Sequence, residues 1–494
     1  MRLFKHLTHS SITDDKKKLG MISGLASTLT VAAFSLGLIL STSKVIDANT
    51  QKGHSKLVTL TLAVHTGEKD TWNRLAQEFR QTSGNENINL RIDEIHEDFK
   101  EEAKKRDLVY TDIIWLPEFV EDDIIMPINE ELIQKFGVKN VKELVEKRGF
   151  LKTEIEHGQY PPKGKSKLYR IPFRTDMGVL YYRKDLLEQY NNGRVPKTYK
   201  ELIEVAQKIQ TKEKKNDEKF FGYLWQDKGE GAATMFLEVL RGHGGFWVQD
   251  SEPNPTKKVG LANQQAISAI KFLRETLDKD ISPATYRNGN GSQTFENDEK
   301  ETDSLFKRGR AVFLRSWPNV WNKAENDSES EVKGKIGIIP MVGNIGTRTS
   351  CQGGWGLALN NKLKDYPDKR DAAIRAIVYL TSKNSQRQFT LEQGTLPTIK
   401  SLFYDRAVTR KYPHYEDLYE DFIDGNKLVP RPRTVKYEQL SEILQNTLKS
   451  ALDLKKNNLM VDKIMRDSAR LTRKCLSSEV KVGECTTTSS LIKP

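Results

Sequence analysis

Leu57–His65 (LVTLTLAVH) is a nearly continuous apolar run bounded by polar residues, the pattern of a buried strand. Beyond Gly67, the residues Trp72, Leu75, Ala76 and Phe79 recur at i, i+3, i+4 and i+7, which predicts a helix over 68–82 with one stripe facing a core. Ser83-Gly84-Asn85 stops it. Ile88–Ile95 then alternates apolar and polar as a half-exposed strand, a charged helix is expected over 97–106, and Leu108–Leu116 is a third strand. Strands and helices in alternation build a parallel sheet, whose ligands sit beyond the carboxyl ends of the strands. Pro117-Glu118-Phe119 lies at such an end.

Farther along, two short strands flank Arg174 and Asp176 within 168–183, and a helix restarts at 184–190. Helical spacing recurs at 199–212, 231–241 and 263–277, while 288–301, rich in Gly, Asn and acids, reads as a mobile loop. Buried strands are expected at 311–314 and 336–339; from Asp368 onward the pattern is helical at 370–381, 386–392, 437–454 and 461–474. Strands in two separated groups, with helices packing back over both, predict a two-lobed α/β protein whose chain crosses between lobes more than once. The division is 57–174 plus 318–382 for lobe 1 and 175–317 plus 383–474 for lobe 2, followed by a tail at 475–494.

The N-terminus bears on location. Residues 1–20 are basic and 21–41 carry no charge, so the segment is a signal peptide or a membrane anchor with its basic flank in the cytoplasm. The chain after about residue 45 then lies across the membrane, on the periplasmic or extracellular side. Charge excludes one class of partner. The net +12 resides in the two ends, +5 in residues 1–56 and +7 in residues 427–494, so the body is formally neutral and offers no footprint for nucleic acid. Three cysteines make neither a metal set nor a disulfide framework. In an oxidising compartment Cys475 and Cys485 bridge and leave Cys351 free; three unpaired thiols are the alternative.

Phosphate-loop, nucleophile-elbow and zinc-helix motifs are missing, and no cofactor is expected. What remains suits a sugar. Trp355 sits among Gly353, Gly354 and Gly356, and Trp317 beside Pro318, so each large ring is held next to backbone that is unusually free or unusually stiff. A pyranose packs its CH face on such a ring and offers hydroxyls to fixed donors and acceptors. Trp115, Tyr181 and Tyr182 are further candidate rings, although neighbours on one strand cannot both face a single pocket. Asp112, Glu118, Asp176, Arg174 and Arg431 supply the charged partners. Each of these residues also has a purely structural alternative as core, turn or surface.

Six segments in series carry a resemblance: Thr111–Phe119 (TDIIWLPEF), Ile171–Asp185 (IPFRTDMGVLYYRKD), Phe306–Trp317 (FKRGRAVFLRSW), Gly353–Leu359 (GGWGLAL), Gly394–Thr398 (GTLPT) and Arg431–Tyr437 (RPRTVKY). In this order the chain resembles the extracellular solute-binding proteins that feed sugar-type ABC importers, the maltose and trehalose class, over about 57–474. The resemblance implies a periplasmic-binding-protein fold of two hinge-linked lobes, a ligand clamped between them, a permease that recognises the closed form, a monomer and no catalysis. It further implies that Glu118, Asp176, Trp317, Gly354, Trp355 and Arg431 contact ligand; Asp112 and Arg174 join the candidate site as charged partners read from the residues themselves. The chain departs from the family in lacking a cysteine after the apolar segment, in its basic tail from Cys475, and in its acidic loop around Asp298. A glycoside hydrolase and a ligand-sensing ectodomain are the competing readings.

Overall fold

The computed structural model describes residues 57–249, 258–283, 297–344, 348–425, 427–477 and 481–485. The basic segment 1–20, the uncharged segment 21–41 and most of the loop expected at 288–301 lie outside the described residues. Two main sheets organise the rest. The larger runs Leu396–Pro397, Arg170–Met177, Ser350–Asn360, Leu108–Asp112, Val58–His65, Ile88–Ile95, with Ile125–Met126 and Leu428–Pro430 also pairing to Ser350–Asn360. Val58–His65 pairs in parallel with both Ile88–Ile95 and Leu108–Asp112, as strand–helix–strand order dictates. Ser350–Asn360 enters antiparallel between Leu108–Asp112 and Arg170–Met177. The second sheet runs Ile336–Pro340, Val179–Arg183, Ala311–Ser316, Phe221–Leu224.

The apolar stripe of the first helix, Lys69–Gln81, buries Trp72, Leu75, Ala76 and Phe79 against the larger sheet, in one cluster with Leu60, Leu62 and Tyr110. Fully burying side chains the size of Leu75 or Phe79 stabilises by about 1.5–3 kcal/mol each. Around the four-stranded sheet, Leu180, Val312 and Phe313 share a core with Tyr199 and Leu202 and with Leu440, Leu444 and Leu448 of the helix Tyr437–Ala451. That helix packs on the last long one, Asn458–Leu476, whose Cys475 is joined to Cys485; Cys351 is free and buried. Among the described residues, no helix is long and apolar enough to cross a membrane.

The sheets meet where the chain has least room. Gly178 alone separates Arg170–Met177 in one sheet from Val179–Arg183 in the other. A Cβ on Gly178 would lie 1.7 Å from Glu238 Oε1 and 2.8 Å from Arg315 Nη2, so any larger residue there collides with a buried ion pair.

Three local expectations differ from the fold. The strand expected over 108–116 stops at Asp112, because Pro117 opens a short helix, Leu116–Glu121. Ile336–Pro340, assigned by sequence to lobe 1, pairs with Val179–Arg183 in the four-stranded sheet. Leu396–Pro397 and Leu428–Pro430, assigned to lobe 2, lie in the larger sheet. A strand's sheet is decided by its backbone partners, which its own apolar pattern does not name.

Candidate functional site

A cleft of about 710 Å³ opens where the two sheets meet. The larger sheet contributes His65, Asp112, Arg174, Asp176, Gly353 and Trp355; Trp317 follows the last residue of Ala311–Ser316 in the second sheet. The helix Tyr437–Ala451 turns Tyr437, Ser441 and Gln445 toward the cleft at i, i+4 and i+8, a row running beside its buried leucines.

Trp355 is half-buried in an aromatic nest. Its ring meets His65 edge-on at 4.3 Å and 87°, Trp115 at 5.2 Å and 89°, and Tyr110 at 5.1 Å, while the Arg174 guanidinium lies 5.5 Å from it. Strand register explains the nest, since Trp355 pairs with Asp112 on one side and Arg174 on the other. Trp317 is fixed differently. Its indole N–H donates to Glu299 Oε1 at 2.7 Å, and the Arg315 guanidinium sits 4.5 Å from its ring. Arg315 is itself locked by two 2.7 Å bonds to the Glu238 carboxylate. Tyr181 lies behind, its hydroxyl within 2.8 Å of the Trp317 carbonyl.

Charged groups are shared in sets. Arg431 donates to Asp112 at 2.9 and 3.2 Å and to Glu230 at 3.0 Å, and Glu230 also accepts from Ser441 at 2.8 Å and from Tyr437. Arg174 lies 3.5 Å from Glu68 and 3.8 Å from Asp176. Burial raises the Asp176 carboxyl to about 7, against the pull of Arg174, and raises Glu68 for the same reason. Burial and then the Arg174 charge lower His65 to about 3, leaving a neutral ring against Trp355.

Of the residues singled out by sequence, Asp112, Arg174, Asp176, Trp317, Trp355, Arg431 and Trp115 line the cleft. Glu118, on the short helix Leu116–Glu121, is instead held by Lys100 at 2.6 Å and Lys104 at 3.1 Å. Gly354 points to the opposite face of its strand, where a Cβ would lie 3.0 Å from Glu154 Oε2; Gly353 faces the cleft in its place. Tyr181 is buried behind Trp317, and Tyr182 packs on Gly337. Sequence reading missed Glu68, Glu230, Glu299, Tyr437 and Thr395. Tyr437 and Thr395 carried a signal, each lying in a segment of the resemblance, Arg431–Tyr437 and Gly394–Thr398.

Two sheets joined at the single residue Gly178, with aromatic and charged side chains from both sides turned into one cleft, define a two-lobed ligand-binding fold. The chain belongs to the bacterial extracellular solute-binding protein family, whose model matches residues 63–387. Membership implies a periplasmic or extracellular location. A probable ABC transporter-binding protein of Deinococcus radiodurans is 32% identical over 294 residues, 58% of this chain and 65% of that protein. A galactooligosaccharide-binding protein of Bacillus subtilis is 24% identical over 49% of this chain and 52% of that one. The chain thus spans about half to two thirds of the length of these relatives. Among solved structures, maltose-bound T. maritima MalE3 superposes with a TM-score of 0.68 at 26% identity, over 84% of this chain and 99% of that one.

Proposed function

We propose that the protein captures a saccharide outside the cytoplasmic membrane and presents it, unchanged, to the permease of an ABC importer. The observation that carries this reading is the pairing of Trp317 and Trp355 in one cleft, each supplied by a different sheet and each flanked by carboxylates and a guanidinium. An indole offers the apolar CH face of a pyranose a flat partner, and the charged groups offer its hydroxyls both donors and acceptors. Asp112, Arg174, Asp176, Trp317, Trp355 and Arg431 are the proposed contacts. A ligand touching groups from both sheets favours the arrangement in which they approach, and the permease reads that state. Gly178 is the proposed pivot between lobes, and residues 21–41 the proposed signal or anchor. The maltose in T. maritima MalE3 and the name of the Bacillus relative support the ligand class.

Titrating the protein with mono-, di- and oligosaccharides while following tryptophan emission tests binding. Chromatography of the sugar after long incubation tests for turnover, and conversion of any bound sugar would move the protein to the glycosidases.

A further inference from the structure

Resting on the saccharide reading above, we propose that the ligand carries a protonated amine, an amino-saccharide rather than a neutral sugar, with Glu299 its principal charge partner. The interior of the cleft is short of cations. Each of its two guanidinium groups is already divided between two carboxylates: Arg431 between Asp112 and Glu230, Arg174 between Glu68 and Asp176. A fifth carboxylate, Glu299, makes no ion pair among the described residues and is held only by the Trp317 indole N–H at 2.7 Å. The remaining lining cation, Lys323, is exposed.

Acid surplus alone does not make a site, but this one borders a cavity with bonding capacity in reserve. Thr395, 2% exposed, lines the cleft with a hydroxyl that has no partner among the described residues, and the buried Arg431 keeps an unpartnered Nε–H. Two polar groups withdrawn from water without a partner are costly unless a ligand completes them. An ammonium placed against Glu299 would gain a charge-assisted bond to a carboxylate that the Trp317 indole N–H alone now holds. Arg315, beneath the same ring, does not oppose it, because the Glu238 carboxylate neutralises that guanidinium.

The test compares three disaccharides of one linkage: β-1,4-linked glucosamine, its fully N-acetylated counterpart and cellobiose, with spermidine as a charged compound that is not a sugar. Calorimetry on the full chain is expected to show the glucosamine form binding about tenfold or more tighter than the other two, the worth of one charge-assisted contact. In Glu299→Gln, checked for an unchanged thermal melt, that ratio should shrink toward unity. Equal or weaker binding of the glucosamine form overturns the amine while leaving the saccharide reading intact. An undiminished ratio in the variant overturns the role of Glu299. If every saccharide, including maltose, is silent, or spermidine alone binds, the saccharide reading falls and this proposal with it.

Discussion

Arg431 grips Asp112 with one nitrogen at 2.9 and 3.2 Å from its two carboxylate oxygens and Glu230 with another at 3.0 Å, tying the segment after Leu428–Pro430 to the end of Leu108–Asp112 and to the start of the helix Gly229–Gly242. Arg431 is 4% exposed, so its removal leaves the largely buried Asp112 carboxylate without its partner and beside the partly exposed Glu230. Losing one partner of a buried pair costs about 3–5 kcal/mol, and the partial exposure of Glu230 places this case at the lower end. Arg431→Ala is therefore expected to lose about 3 kcal/mol in denaturant unfolding. Arg431→Lys, which keeps the charge but not the fork, should fall between alanine and the parent.

The two tryptophans should separate by variant. Trp317→Ala removes a ring whose neighbours are polar, and is expected to weaken saccharide binding by about 1–3 kcal/mol with a small change in melting temperature. Trp355→Ala also opens the nest with His65, Trp115 and Tyr110, so it should lower both affinity and thermal stability. Titration beside a thermal melt reads both quantities; unchanged affinity in either variant would return that ring to the core.

Much of this frame was legible in the residues. Continuous runs such as Leu57–His65 and the helical stripe of Trp72, Leu75, Ala76 and Phe79 state their own secondary structure. Trp355 and Trp317 stood out because rigid or bare backbone surrounds them. Parity was not legible. Gly353 and Gly354 look alike in a glycine-rich strand, and only the register that pairs Trp355 with Asp112 decides which faces the cleft. Glu118 failed for a related reason: the Pro117 helix turns it onto Lys100 and Lys104. Glu230 and Glu299 sit on helices whose polar faces look the same in sequence whether they meet solvent or a cleft.

Asp176 predicts a pH dependence with a definite sign. Its folded pKa of about 7 lies above the ordinary value near 3.9, so the native state holds a proton that the unfolded chain has released between those values. Stability from this group is present below about pH 4 and is lost as pH rises through about 7, by on the order of 4 kcal/mol at most. His65, His157 and His414, pressed by burial to about 3, act oppositely between about pH 3 and 6.5, and the half-buried Asp303, also raised to about 7, acts in the same sense as Asp176. The readout is therefore a difference: moving from pH 5 to pH 8 should cost the parent more unfolding free energy than it costs Asp176→Asn. Parallel profiles would dismiss the assignment.

Thiol chemistry gives an independent check. Burial pushes the Cys351 thiol up to about 12, and Cys475 is bonded to Cys485. The native protein should resist alkylation, the unfolded protein should take one label, and the unfolded and reduced protein should take three. Reduction alone should cost about 2–3 kcal/mol, the value of closing a short loop in the unfolded chain.

Tryptophan emission followed through a saccharide titration, in the parent and in Trp317→Phe with Trp355→Phe combined, addresses the cleft most directly. A saturable change at one site per chain, weakened and spectrally muted in the double variant, is the predicted result. A parent that responds to no saccharide, or a double variant that binds as tightly as the parent, would contradict it.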